Sequence, residues 1–301
     1  ARRVAHQLGI DHHVFNFTDD FDRHVVEPYV EAWAGGRTPN PCIECNRHLK
    51  FDRFLQRAEQ LGFDAIATGH HARVEPAGDR FVLRRGADPS KDQSYVLAML
   101  TQTELARTLL PIGAMTKQAV RALAGQAGLR TAAKPDSQDV CFISRTGGRT
   151  AFLGSRIALH PGRVLDSRTG ELVGTVPAIE LVTPGQRRGL GGGASEPRYA
   201  IDVDVAERTV RVGPESELDA TRVNLHTRTW TGEPLADGAQ VLVQTSAHGA
   251  PTPAVIDCSG VQFLSPRRRV AEGQTVALYV DDEVVGSGIA CSSKQPGLAS
   301  I

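Results

Sequence analysis

An α/β domain followed by β-rich domains is the fold class that the 301-residue sequence predicts, on three observations. Up to about residue 150, apolar positions recur at helical spacing and alternate with short apolar runs ending at glycine, the grammar of an open sheet covered by helices. Beyond that point, segments rich in Val, Ile, Tyr and Thr are punctuated by Gly and Pro and long helical periods are missing, which is the pattern of small barrels or sandwiches. At 41% hydrophobic and 23% charged residues, the chain is globular and long enough for two or three domains. The expected division is an α/β unit over 1–150, a small central β-rich unit over 151–214 and a barrel over 215–301. Residues 111–130 are also compatible with packing on the central unit.

Element by element, Val4 and Leu8 ahead of Gly9 mark the tail of a helix. Val14–Phe17 reads as a strand. Asp19 and Asp20 are caps for a helix carrying Phe21, Val25, Tyr29 and Trp33, kinked at Pro28 and ended by Gly35-Gly36. A loop is expected from Arg37 to Asn46, and then a helix from Arg47 to Leu61 whose apolar face is Phe51, Phe54, Leu55, Ala58 and Leu61. Asp64–Gly69 reads as a short buried strand ending at His70-His71, and ligands collect at the carboxyl ends of such strands. Arg73–Glu75 and Phe81–Leu83 form a hairpin turning at Ala77-Gly78-Asp79. Thr116 caps a helix with Val120, Leu123, Ala124 and Ala127 on its buried face. Strands are expected within Arg198–Val205, Thr209–Val212, Val241–Gln244, Ala254–Ile256 and Thr275–Val280, and Gly189–Gly193 is a loop.

Composition narrows the function. With 34 Lys+Arg against 34 Asp+Glu the net charge is zero, so no global basic field draws in nucleic acid, and any such role rests on local clusters. No apolar run approaches the roughly 18 residues of a membrane span. The amino end, Ala1-Arg2-Arg3-Val4, has neither an initiator Met nor a signal-peptide stretch and reads as a piece of a longer chain. Five cysteines, an odd number, point to a reducing compartment, with the cytoplasm as the expected location.

The strongest local signal is Cys42-x-x-Cys45 beside the amino end of the expected Arg47–Leu61 helix. The helix dipole and the nearby Arg47, His48 and Lys50 favour thiolate there. Chance burial, metal binding and thiolate chemistry are all open for this pair. A four-ligand zinc site requires a second matched pair, whereas Cys141, Cys258 and Cys291 stand singly; three cysteines and an open position suit an iron–sulfur cluster. Cys141 lies between Val140 and Phe142, which suits an inert buried thiol, and follows Asp136-Ser137-Gln138-Asp139, which suits a polar site. Cys258 and Cys291 read as inert packing. His70 and His71 at a strand end, and Lys91-Asp92-Gln93-Ser94-Tyr95 with its cation, carboxylate and amide, suit polar recognition. Gln186–Leu190 and Arg267-Arg268-Arg269 suit phosphate contacts or solvated faces equally. No glycine-rich phosphate loop of the type G-x-x-x-x-G-K-[ST] or Ser-Gly-Gly-x-Asp-Ser precedes a helix in these residues.

Gly36-Arg37-Thr38-Pro39-Asn40-Pro41-Cys42-Ile43-Glu44-Cys45-Asn46, with Leu49-Lys50-Phe51 after it, resembles the tRNA-specific 2-thiouridylases (the MnmA/TrmU family). Ala67–His70, Lys91–Tyr95, Asp136–Ile143 and Gly185–Gly191 fit in the family's order, and Gly273–Tyr279 with Gly286–Ile289 is similar to its closing barrel. The resemblance implies a parallel-sheet domain of the adenine nucleotide alpha-hydrolase-like kind, incomplete here, then a small central domain and a carboxyl-terminal β-barrel. It implies use of ATP, with Mg²⁺, to adenylate the 2-carbonyl oxygen of a wobble uridine, followed by sulfur transfer from a cysteine persulfide. By position, Cys141 matches the persulfide cysteine and Cys45 the nucleophile that releases the sulfur, closing a Cys45–Cys141 disulfide. Asn40, Pro41 and Cys42 match the loop lining the target base, Gly69 a nucleotide contact, and His70, Lys91, Asp92, Gln93 and Gln274 tRNA contacts. The implied partners are tRNA and a persulfide-donating sulfur-relay protein or cysteine desulfurase, with no membrane.

Three departures shape the expectation. Without the Ser-Gly-Gly-x-Asp-Ser loop, these 301 residues alone are expected to adenylate poorly, and a non-catalytic tRNA-binding remnant is the rival reading. Some members carry Asp where Cys42 stands, so a 4Fe–4S cluster on Cys42, Cys45 and Cys141 is the alternative cofactor. Gln244–His248 lacks the Arg-Tyr pair that some members place on tRNA.

Overall fold

The computed structural model describes residues 1–136, 140–143, 147–191 and 196–292. Helix Arg2–Leu8 ends at Gly9, whose φ of 66° is the left-handed conformation that a glycine cap supplies without strain. Val14–Phe17 is not a strand. The Phe15 ring instead packs at 6.4 Å from Phe54 and beneath Arg57, so its apolar surface is covered by a helix rather than by a ladder.

Thr18–Phe21, Asp22–Val26 and Glu27–Ala34 run on as one helix whose middle section has π geometry. The wide turn lies directly ahead of Pro28, which has no N–H to give the ladder. Asp19 and Asp20 sit in the first turn rather than at the cap, where they complement the dipole, and Asn16 Oδ1 accepts from Thr18 N at 3.1 Å. Pro41–Glu44, Cys45–Arg53 and Phe54–Gln60 form a second long helix, again π in its middle. It starts at Pro41 and not at Arg47. Asn40 caps it by accepting from Cys42 N at 3.1 Å, and Pro41 occupies the first turn, where a missing N–H costs nothing. Its buried face is Ile43, Asn46, Leu49, Phe51, Leu55 and Ala58, while Leu61 is 46% exposed.

The parallel sheet consists, among the described residues, of Ile66–Ala67 beside Thr108–Leu109. Thr116 caps helix Lys117–Gln126, its hydroxyl accepting from Ala119 N at 3.2 Å, as expected. The expected buried face is only partly formed: no residue of this helix is fully buried, Val120 and Ala124 are half-buried and Leu123 is 55% exposed.

Six antiparallel strands close a barrel in the order Thr275–Val280, Gln240–Gln244, Thr252–Asp257, Gly260–Arg268, Asp219–Trp230 and Glu283–Cys291, the last pairing back onto the first. Closure removes the exposed edges that an open sheet would leave. The hairpin Ala72–Ala77/Arg80–Arg85 joins this sheet, with Leu83 and Arg84 opposite Val284 and Glu283. A segment early in the chain is thereby built into the wall of the last domain. Arg73 and Arg84 hold Asp282 across that seam, at 2.7 and 2.5 Å. Between the two lies a four-stranded sheet, Leu172–Val176, Gly162–Asp166, Thr209–Gly213 and Tyr199–Asp204, with one parallel pair. Val164, Val176, Ile179, Val182, Ala200, Val210 and Val212 fill its core.

Gly113 ties the parallel sheet to the hairpin. A Cβ on it would overlap the Ala72 carbonyl, whereas one on Gly125, in the exposed helix, meets nothing within 4 Å. Gly113→Ala is therefore expected to destabilise the protein by about 2 kcal/mol or more through overpacking. Gly125→Ala should stabilise it by about 0.5–1 kcal/mol through helix propensity. Opposite shifts in melting temperature for the two variants check this; equal shifts would contradict it.

Candidate functional site

The site is built around the amino end of the Cys42/Cys45 helix, and three regions hold the loop before it. Gly36, with φ of 71°, lies so close to Val205 of the central sheet that a Cβ would come to 2.7 Å from Val205 Cγ2. Thr38 N donates to Glu272 O at 2.9 Å, Gln274 Nε2 donates to Thr38 O, and Thr38 Oγ1 meets Thr183 Oγ1 at 3.3 Å. Tyr95, buried beneath the helix start, donates to Thr275 O at 2.9 Å.

Cys42 and Cys141 are exposed and Cys45 is half-buried. Although Cys141 lies far along the chain, it is within electrostatic reach of both Cys42 and Cys45, where a charge on it would disfavour their thiolates. The anchor for Cys141 is its neighbour. The Phe142 ring packs edge-on against Phe21 at 5.6 Å and Tyr29 at 5.5 Å, and against Phe152 at 5.0 Å. The apolar flank that suited an inert buried thiol thus fixes an exposed one; Ser137, Gln138 and Asp139 lie outside the described residues.

Electrostatics departs from the expectation of ready thiolates. Burial pushes the thiols of Cys42 and Cys45 up, and the neighbouring thiol charges push them further. Arg47 and His48 are turned to Glu44, at 3.6 and 3.4 Å. Lys50 is the cation that acts the other way on both sulfurs. Soft thiolate donors are the right chemistry for an iron–sulfur cluster. Even so, among the described residues no three Cys, His, Asp or Glu side chains converge as a metal ion requires.

His70 is 6% exposed. Its Nδ1 meets Thr68 Oγ1 at 2.8 Å and its Nε2 lies 3.4 Å from Lys50 Nζ. Burial first, then Lys50 and His71, lower its pKa to about 4, so the ring is neutral near pH 7 and accepts from Lys50. Gly69 is exposed at the carboxyl end of the short strand, and a Cβ there would meet only Ile112, at 3.9 Å. Its backbone is therefore uncovered on that side.

Asp92 is a hub. Its carboxylate accepts from Arg85 Nη1, Gly86 N, Ser94 N and Ser94 Oγ at 2.9–3.0 Å. Gln93 Oε1 accepts from His71 N at 2.9 Å. These two side chains shape the site through bonds within the protein. Lys91 Nζ reaches Asp136 at 2.9 Å, joined there by Lys117 at 3.2 Å and Arg121 at 3.4 Å. Hydrogen bonds from Lys91 and then Lys117 hold the Asp136 carboxyl down to about 2. This triple anchor, five residues before Cys141, is one that sequence reasoning missed, because its cations come from two separate segments. Arg85, stacked 3.8 Å over the Tyr279 ring, was missed likewise. Arg85, Ser90, Asp92, Gln244 and His248 line a cavity of about 500 Å³ between the hairpin and the barrel. In the Arg267–Arg269 run, Arg268 donates to Gly185 O and stacks at 5.3 Å over Tyr199, so it joins barrel to central sheet. Cys258 is exposed in the turn between two barrel strands.

Comparison with known proteins gives a consistent picture. The family described as tRNA methyl transferase HUP domain matches residues 1–145, and the Aminomethyltransferase beta-barrel domain matches residues 216–290. A tRNA-specific 2-thiouridylase MnmA of Rhodococcus erythropolis is 42% identical, over 96% of this chain and 82% of the relative. The protein of the same name from Thermobifida fusca is 43% identical, over 95% of this chain and 79% of its own length. That from Acidothermus cellulolyticus is 41% identical across 100% of this chain and 84% of the relative. With its cysteine-helix motif, hairpin-bearing barrel and end-to-end similarity to these proteins, the chain belongs to the tRNA-specific 2-thiouridylase family.

Proposed function

We propose that this chain forms 2-thiouridine in tRNA by passing sulfur between Cys141 and Cys45. The observation that carries this reading is that the folded chain brings Cys141, from a distant segment, within electrostatic reach of Cys42 and Cys45 at one helix end. ATP, when bound, supplies the activation that turns the uridine 2-oxygen into a leaving group, and Gly69 is the residue of this chain open to lie against it. The target base must leave its stack to reach these sulfurs, a step that tRNA-modifying chemistry shares with other base-acting enzymes. Asn40, Pro41 and Cys42 line the entry, Asn40 being fixed by its cap bond and Pro41 by burial.

Sulfur moves as follows. Cys141 carries it as a persulfide, loaded by a sulfur-relay protein or cysteine desulfurase, and the terminal sulfur bonds to C2 of the activated uridine as the oxygen departs. Cys45 thiolate then attacks Cys141 Sγ. The Sγ–S bond breaks, its electron pair stays with the sulfur on C2, and a Cys45–Cys141 disulfide forms. An external dithiol reductant resets the pair, as exchange chemistry allows in a reducing compartment, here taken as the cytoplasm. Lys91 and Gln274, whose positions match tRNA contacts of the family, are the residues proposed to meet the tRNA, and Mg²⁺ accompanies the nucleotide.

Cys45→Ser and Cys141→Ser, each in the full gene product, are expected to abolish thiolation while changing tRNA affinity less than about threefold, because neither sulfur bears binding energy. Near-normal 2-thiouridine by nucleoside mass spectrometry in either variant would remove that cysteine from the scheme, and Cys258→Ser should be silent. The pH dependence has a definite sign. Burial raises the Cys45 thiol above its ordinary value, so the protonated form dominates at neutral pH and each unit of pH increase yields up to about tenfold more thiolate. Single-turnover transfer from preloaded persulfide should therefore accelerate from pH 7 to pH 9; a flat profile would mean that Cys45 ionisation does not limit release.

A further inference from the structure

Lys91, a proposed tRNA contact, is already engaged in the folded chain. Its ammonium lies 2.9 Å from Asp136, and the same carboxylate holds Lys117 at 3.2 Å and Arg121 at 3.4 Å. The cations come from two segments. Lys91 ends a turn begun at Asp88, its N–H donating to Asp88 O at 3.0 Å. Lys117 and Arg121 sit four residues apart, on one side of helix Lys117–Gln126. Asp136 enters from a third segment.

Charge does not balance there. Among the described residues no other carboxylate lies within ion-pair distance of the three cations, so one negative group faces three positive ones. Asp88, the next acid, is spent on Ser90 N at 3.0 Å, Ser90 Oγ at 2.7 Å and Lys117 N at 2.9 Å. His71 is buried nearby, and burial lowers its pKa, so it adds no charge near pH 7. An ammonium has three donors and a guanidinium five, together more than one carboxylate accepts. The side chains of Lys91, Lys117 and Arg121 are also 38%, 31% and 45% exposed, which leaves them open to a ligand. Ion pairs this exposed are weak singly, whereas a phosphate offers several acceptor oxygens to lysine and arginine at once. The Asp136 carboxyl is held down to about 2, so exchange for another anion, and not protonation, is what frees the cations.

We propose that Lys91, Lys117 and Arg121 form a phosphate-binding site, that Asp136 occupies it as an internal stand-in, and that a substrate phosphate displaces Asp136 from it. This deepens the tRNA-thiolation reading and rests on it for the identity of the substrate. The expected source is the tRNA backbone, and the phosphates of the nucleotide are the other source of the same chemistry.

The test is binding of tRNA by filter retention between about 50 and 200 mM salt, and of inorganic pyrophosphate by calorimetry. Asp136→Asn keeps the shape and removes the competing charge. It is expected to bind tRNA about fivefold tighter, with a salt slope steeper by about one. Lys117→Met/Arg121→Met should bind about fivefold more weakly, with a slope shallower by about one. In that double background Asp136→Asn should gain less than about twofold, since the two changes act on one cluster. A carboxylate that only braced the fold would not strengthen binding when neutralised. A gain for pyrophosphate with tRNA unchanged assigns the site to the nucleotide. Asp136→Asn that tightens neither probe overturns the proposal, and Asp136→Ser takes its place if the first variant does not fold. Folded cation variants that leave both affinities unchanged overturn it equally. Failure of the thiolation reading looks different: the affinities move as stated, yet the full gene product makes no 2-thiouridine.

Discussion

The constraint on which the site depends is the anchoring of residues 36–38 by the central sheet and the barrel at once. Gly36 is pressed onto Val205, Thr38 bonds to Glu272 on its N–H side, and Gln274 closes on its carbonyl. The contacts come from two distant stretches of chain, around Val205 and around Glu272–Gln274, and together they hold the loop that leads to Asn40-Pro41 at the start of the cysteine helix. A helix end leaves N–H groups without internal partners, so its direction is set by whatever caps it. Here the cap is one side chain on a loop that two domains hold. The position of Cys42 and Cys45 is thus a property of the assembled molecule rather than of the first domain alone.

Much of the fold was legible in the sequence where patterning is local. The 72–85 hairpin turned at its Gly78-Asp79 tip as its alternation predicted, and Thr275–Val280 is a strand over the residues expected. The barrel and the Thr116 cap followed the same logic. What failed was decided by partners distant in sequence. Val14–Phe17 has strand composition, but Phe54 and Arg57 cover Phe15, and side-chain packing overrides propensity. The cysteine helix starts at Pro41, earlier than the apolar period from Phe51 indicates, because Asn40 caps it, and a capping residue followed by proline is a helix-start signal. At the site, the motif residues were visible singly. That Phe142 anchors Cys141, that Asp136 gathers three cations, and that His70 turns inward onto Lys50 are long-range facts with no local periodicity to announce them.

Zero net charge also takes on meaning only in three dimensions. Many arginines are engaged inside the protein, and of the runs that suit phosphate contacts Arg268 is among them whereas Arg187 and Arg188 are exposed. Arg73 and Arg84 clamp Asp282, Arg222 pairs with Asp257 at 2.6 Å, and Arg268 ties the barrel to Gly185. Isolated exposed pairs contribute little, about 0–1 kcal/mol, but at a strand seam several charges act together and specify register. The hairpin seam is such a case, with Arg73 and Arg84 sharing Glu75, Asp282 and Glu283 in one cluster.

Mutual repulsion among the thiols gives the sulfur-transfer scheme an order of events. A charge on Cys141 would raise the Cys45 thiol, so two thiolates at this helix end oppose each other. In the proposed reaction the roles are unequal: Cys141 bears the sulfur, and Cys45 is needed as a thiolate only once that outer sulfur has bonded to the base. Once Cys141 Sγ is part of a neutral S–S bond, its repulsion disappears while the favourable pull on Cys45 remains. The second thiol thus becomes easier to ionise at the stage where its attack is productive, and stays protonated before it. Burial, which at first sight works against nucleophiles, is then what keeps Cys45 quiescent until the electrostatics around it has changed.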